Sequence, residues 1–518
     1  MLNAIGRNSN MKSIASQVAV SLVWAGLLLA GANATAQAAP TDNPQTAVLP
    51  LTTKSPQARR LVEKALKLYL DQVEQAKAIE ILRKAVKIDP DFAMGHELLA
   101  QISLESGEQV SEQEKAFATR SHATQPEQTL IEWYQDAGDA KLIPAITKMN
   151  DVLSQYPHDK TVVWMTTWWL MMQTQYERSI AIYERSGITD SPGLMNNMGY
   201  NYAGIRQFDK AFALMDKYVA AMPHDPNPQD SYAEILRMAG HFDQSVEHYR
   251  AALAIDPEFY SSQFGVADTY SLMGDQVRAR KEYEIGFQKF SIPQQHWILW
   301  KSREAATFVR AGDLAGADKT FQAIADFAHS DHLSQVEADT YRQMAMYQPD
   351  SKQAVALLDK ADTALQEGKN AMKAAILEES AQVLRLRVEL AVKAGNQELA
   401  KSTATRLADL SDRSDDKLVE TAYHGAEGSV LFAAGKYDDA ISHLEEDVNN
   451  PLSLKLLAQA YQKIGYSAGV KRIDETLSNL NDPTLEQALI VPAFRKCYED
   501  PACNGSLNAG TPKLRHTL

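Results

Sequence analysis

Cysteine is almost missing from this 518-residue chain: only Cys497 and Cys503 occur, in CYEDPAC near the C-terminus. So few thiols exclude a disulfide-built fold, and the spacing is not the C-x-x-C of redox pairs. In an oxidising compartment the two are expected to form a disulfide, with Pro501 breaking the helix between them. Glycine and proline are also sparse, 25 and 20 residues, which excludes low-complexity and collagen-like chains. Basic charge is short: 52 Lys and Arg stand against 66 Asp and Glu, a net charge of −14. That balance argues against sequence-independent nucleic-acid binding, which needs cations to neutralise phosphates.

Long apolar runs are missing too, with one exception. Arg7 and Lys12 precede VAVSLVWAGLLLA (18–30), and ATAQAAP follows. A short apolar run between a basic segment and an A-x-A site reads as a cleavable signal peptide over 1–38, with cleavage after Ala38. The run is too short for a comfortable membrane span. MKSIAS at Met11 reads as an alternative start to Met1. The expected location is the periplasm or the medium, with no stable membrane span after cleavage.

Catalytic signatures are the last absence. The chain has no G-x-x-x-x-G-K-[ST], G-x-G-x-x-G, H-E-x-x-H, G-x-S-x-G or EF-hand loop. HELLA (96–100) lacks the second histidine of a zincin, and HSDH (329–332) matches no common zinc spacing. DLSDRSDD (409–416) reads as a solvated linker. His241, Asp243, Glu247 and His248 crowd into GHFDQSVEHYRAALAIDP, but they alternate with apolar residues at helical spacing. No enzyme activity, metal or cofactor is implied.

What the chain does have is a period. Small residues fall at Ala211, Ser245 and Ala279, each 34 residues after the last, and Tyr218, Ala252 and Gly286 follow seven later. Pro223 and Pro257 repeat at the same step, and Gly240 and Gly274 mark a turn. The seven-residue spacing recurs at Ala78/Ala85, Ala145/Val152, Ser179/Ser186, Ala317/Ile324, Ala354/Ala361, Ala400/Leu407 and Ala440/Asp447. About ten units result, and 91–126 and 449–475 leave room for one more each. An acidic Asp447 fits poorly at a packing position.

These residues resemble the tetratricopeptide repeat family, two antiparallel helices per 34-residue unit, most closely over 192–290. The resemblance implies an all-α, right-handed superhelical solenoid whose units bury their faces only by stacking. Its expected parts are a leader (39–56), N-terminal units (57–126), a central array (127–295), degenerate C-terminal units (296–490) and a tail with the cysteine pair (491–518). In this register Asp256-Pro257 ends one unit, with Asp capping the next helix. Asp243, Glu247 and His248 fall on the solvated side of a second helix, and His241 sits at the turn.

In this family first-helix residues line a concave groove. The matching positions here are Trp164, Trp168, Met171 and Met172, then Asn196 and Tyr200, then Asp230, Glu234 and Arg237, then Phe264 and Asp268. The groove is expected to change from aromatic and Met-rich to acidic, which suits a peptide or partner helix carrying basic residues. A two-residue slip of register would instead bury Trp164 and Trp168 against the preceding unit. The expected function is a non-enzymatic envelope scaffold for protein partners. The alternative is a glycan- or peptide-binding protein that uses Trp164, Trp168 and Tyr200 as stacking platforms.

Overall fold

A computed structural model describes residues 47–72 and 74–499. The expected signal peptide, residues 39–46 of the leader, the Cys497 side chain and Cys503 lie outside the described residues, and the expected disulfide with them. Regular structure among the described residues is helical throughout: 25 α-helices and one 3-10 turn at Arg120–His122. The first four pairs are α1 (Pro56–Gln72) with α2 (Gln75–Ile88), α3 (Ala93–Ile102) with α4 (Ser106–Thr119), α5 (Gln125–Gly138) with α6 (Leu142–Gln155), and α7 (Lys160–Met172) with α8 (Tyr176–Ser186). The central three are α9 (Pro192–Gly204) with α10 (Phe208–Ala221), α11 (Asn227–Ala239) with α12 (Phe242–Ile255), and α13 (Tyr260–Leu272) with α14 (Gln276–Lys289). Then come α15 (Gln294–Ala311) with α16 (Leu314–Ser330), α17 (Ser334–Tyr347) with α18 (Ser351–Glu367), and α19 (Lys373–Lys393) with α20 (Gln397–Ser414). The last are α21 (Lys417–Ala433) with α22 (Tyr437–Leu444), α23 (Pro451–Lys463) with α24 (Ser467–Ser478), and the unpaired α25 (Leu485–Glu499). The two stretches left open in the sequence hold α3/α4 and α23/α24, which makes twelve pairs.

The periodic small residues do what their size allows. Ala211, Ser245 and Ala279 are fully buried, as are the larger Met215 and Tyr283 that fill the space between units. A Cβ on Gly265 would stand 2.3 Å from the Tyr249 ring, so only glycine lets that aromatic lie against α13. Gly240 turns the chain between α11 and α12 at φ +87°. At the matching turns, Ala140 and Thr174 take φ 61° and 55° without being glycine.

Three sequence expectations change. Asp256 does not cap α13: its carboxylate accepts the Glu258 N–H at 2.9 Å, in a turn that ends at Phe259 before the helix begins. Residues 409–414 belong to α20 rather than to a linker, and buried Asp416 caps α21 through the N–H groups of Leu418 and Val419. Asp447 lies beyond the short α22 and is buried because it pairs with Arg385 at 2.7 Å and accepts the Ser453 hydroxyl at 2.6 Å.

The array also meets itself. The Gln295 N–H donates to the Leu104 carbonyl at 3.3 Å, and Lys373 reaches Asp139 at 2.7 Å, so early units touch later ones. At the C-terminal end α25 buries Leu485 and Ala488 in the core shared by α15–α19, and Ile490 and Phe494 in that of α22–α24. The segment before it reaches the central units: Asn481 donates to the Met238 carbonyl at 3.1 Å, and Arg206 to the Asn479 carbonyl at 3.3 Å.

Candidate functional site

The face built by the first helix of each pair, the inner face, carries the residues singled out in the sequence. At its N-terminal end the chain covers that face with its own residues. The Leu49 N–H donates to Asp159 at 3.0 Å. Thr52 gives its N–H and hydroxyl to the two oxygens of Glu127, at 2.7 and 2.6 Å, and the Thr53 hydroxyl donates to Asp89. These three carboxylates stand at the starts of three successive units, so the segment Leu49–Thr53 is held by one rung per unit. Helix α1 follows, and its Tyr69 ring meets Trp164 edge-on at 4.9 Å.

Trp164 is therefore buried, as the slipped register would have it, but by α1. Its other side stacks on Trp168 at 5.8 Å with the rings 18° apart. Trp168 is 36 % exposed and Met172, one turn on, 50 %, while Met171 is buried. The apolar end of the expected groove thus reduces to one exposed tryptophan on a buried aromatic base, with a methionine beside it.

The acidic end is a cross-linked ladder. Tyr200 donates to Glu234 at 2.9 Å, and Arg237 bridges Glu234 at 2.6 Å and Asp268 at 3.0 Å. Asp268 also accepts from Arg303 and from the Tyr283 hydroxyl. Burial opposes ionisation of Glu234, but Arg237, Arg303 and Tyr200 outweigh it and hold the carboxyl below its usual value. Asp230 has only the Ser262 hydroxyl, at 2.6 Å, and burial lifts its pKa to about 7. Phe264 is fully buried and lies flat on Trp300 at 4.2 Å. Asn196 is half-buried, with its amide oxygen shut off from solvent and without a hydrogen-bond partner.

Of the eleven expected groove residues, Trp164, Met171, Arg237, Phe264 and Asp268 serve the interior, and Glu234 is ion-paired. The predominance of carboxylates, from which a basic ligand was inferred, is offset by Arg237 and Arg303. Arg303, Tyr283, Ser262 and Trp300 were missed. The signal for two of them was complementary chemistry about one repeat away: Ser262 lies 32 residues from Asp230, and Arg303 lies 35 from Asp268.

The metal-like clusters resolve differently. His248 is half-buried rather than fully solvated: it tilts against Tyr232 at 4.5 Å, its Nδ1 lies 2.7 Å from the Gln229 amide oxygen, and burial lowers its pKa. Asp243 and Glu247 are exposed, as expected. His96 is buried with its Nδ1 2.5 Å from Glu112, and His329 is an exposed neighbour of Glu337. Among the described residues no group of three or more His, Cys, Asp or Glu side chains is placed to hold a metal ion, and no helix is long and apolar enough to cross a membrane.

No family model matches the chain, and no curated protein matches it. Solved structures do. A tetratricopeptide repeat protein from Parabacteroides merdae is 15% identical, with 52% of this chain and 92% of that one covered and a TM-score of 0.34. Yeast Tom70 is 14% identical over 86% of this chain and 98% of that one, TM-score 0.36. Cut9–Hcn1, an APC/C hetero-tetramer, is 12% identical over 78% and 76%, TM-score 0.38. At such values the tetratricopeptide-type fold rests on the twelve helix pairs and their 34-residue central period.

Proposed function

We propose that the chain is a non-catalytic, exported scaffold that binds a protein partner on the inner face at α7 and α9. The observation that carries the reading is the Trp168–Met172 pair. Both side chains are exposed one turn apart, and Trp168 is braced from behind by Trp164. A braced aromatic beside an adaptable methionine gives apolar contact at small entropic cost, as in helix-in-groove recognition. The chain's own α1 supports this mode, since it is a helix seated against α7 through Tyr69 and Trp164. The partner segment is then an amphipathic helix that places a large apolar side chain over Trp168. Export is supported by the basic residues, apolar run and A-x-A site at the N-terminus.

Crosslinking capture from the native compartment tests the reading. The double variant Trp168→Ala, Met172→Ala is expected to stay folded and to lose its partner. Retention of the partner by the folded variant overturns the site. Glycan binding is the weaker reading, because Trp164 is buried and the Tyr200 hydroxyl is engaged by Glu234, which leaves one stacking platform. Thermal-shift screening against oligosaccharides separates the two, since a ligand that binds only the folded state raises the midpoint.

A further inference from the structure

The second helices of the third and fourth pairs, α6 and α8, enclose a cleft of about 330 Å3. Arg178 and Arg185, two turns apart on α8, both line it. No carboxylate does, and neither arginine is ion-paired among the described residues. Elsewhere in the array Arg237, Arg342, Arg385 and Arg387 each face a carboxylate. In a chain of net charge −14, two adjacent arginines without an acidic partner stand out. Burial and the charge of Arg185 both lower the pKa of Arg178, and no carboxylate raises it.

The bonds that the arginines do make leave donors over. Arg178 Nη2 reaches across to Asn150 Oδ1 on α6 at 3.0 Å, and Arg185 Nε bonds the Ala181 carbonyl of its own helix at 3.1 Å. Further N–H groups remain on both guanidinium groups. The lining hydroxyls are already spent on backbone carbonyls, Ser154 on Asp151 and Ser186 on Tyr183. Between the arginines the wall is apolar: Ile182 is buried, with Leu153 and Pro157 beside it.

We propose that this cleft binds a small organic phosphate monoester, its phosphate on Arg178 and Arg185 and its apolar body against Ile182, Leu153 and Pro157. Such a phosphate carries about two negative charges near neutral pH, which matches two unneutralised guanidinium groups. The volume is at the small end for ligand clefts and suits one small molecule.

The test is isothermal titration calorimetry of the full chain in phosphate-free buffer, with phenyl phosphate as the probe. One equivalent should bind, more tightly than inorganic phosphate, which lacks the apolar body, and than benzoate, which lacks the second charge. Arg178→Gln and Arg185→Gln should each weaken binding about tenfold or more. Both variants should fold, because neither side chain holds an ion pair, and circular dichroism checks this. Lys84→Gln, at an exposed lysine on α2, should leave the affinity unchanged. Absence of saturable phenyl phosphate binding overturns the site, as does benzoate binding equally well. An equal loss in Lys84→Gln, or no loss in a folded arginine variant, overturns it too. Binding to vesicles containing phosphatidic acid, without binding to phenyl phosphate, would overturn the small-molecule ligand in favour of a lipid-borne phosphate.

Discussion

The central units and those after them solve one packing problem in two ways. From α9 to α14 the helices run 13 or 14 residues each, and buried small residues recur every 34. From α15 to α21 they run from 14 to 21 residues, and beside buried small residues such as Ala317, Ala354 and Ala361 further buried arginines join the units, as Arg237 does in the centre. Arg342 pairs with Glu379 at 2.7 Å, and Arg385 with Asp447 at 2.7 Å. Gly425 leaves room for the second pair, since a Cβ there would stand 2.5 Å from Asp447 Oδ2 and 2.6 Å from Arg385 Nη2. A small-residue contact depends on shape and recurs with the repeat. An arginine pair depends on one partner, need not recur, and so escapes a search for periods.

The largest effect should come from breaking an ion pair in either region. Asp268→Ala leaves Arg303 without its carboxylate and Arg237 with Glu234 only, and Asp447→Ala leaves Arg385 with Glu389 and the Ser453 hydroxyl only; each should cost about 3–5 kcal/mol in urea unfolding. If Asp447→Ala costs under 1 kcal/mol, the contrast between the regions fails. Next comes Gly265→Ala, which drives a methyl into the Tyr249 ring and should cost about 1–3 kcal/mol. Gly425→Ala should resemble it in size but act by separating Arg385 from Asp447, so it should add little on an Asp447→Ala background.

Smaller effects should appear with pH. Asp230 in the central region is raised from 3.8 to about 7 by burial, and Glu378 in the later one from 4.5 to about 8 by burial and its neighbour Asp416. Both folded values lie above the unfolded ones, so the folded state binds protons more tightly and stability falls as pH rises between about 4 and 8. Unfolding midpoints from pH 5 to 8 should drop in the wild type, less in Asp230→Asn up to pH 7, and less in Glu378→Gln up to pH 8. The smallest effect is expected at the turns. Ala140→Gly and Thr174→Gly relieve a left-handed backbone and should stabilise by a few tenths to about 1 kcal/mol, seen as a raised midpoint.

Much of the architecture was legible in the sequence because its cause is local and repeated. A small residue at Ala211 implies the same contact at Ser245 and Ala279, and the chain obeys. The groove was legible as a set of positions but not as a surface. Whether Trp164 faces solvent depends on Tyr69, and whether Glu234 carries free charge depends on Arg237 and Arg303. His424 and His443 sit 19 residues apart, a separation that only the α21–α22 turn converts to contact.

The Leu49–Thr53 segment held by Asp89, Glu127 and Asp159 has a consequence for the order of assembly. Repeat arrays can usually fold from the first unit onward, because each unit needs only its neighbours. Here the Leu49 N–H finds its acceptor 110 residues later, and Asn481 reaches back 243 residues to Met238. The Leu49–Thr53 segment must therefore wait, unseated, until the start of α7 has followed it. Its seat and the Asn481 contact close loops that make the solenoid more of a ring of dependencies than a ladder of modules, so that removing either segment should loosen units far from the cut.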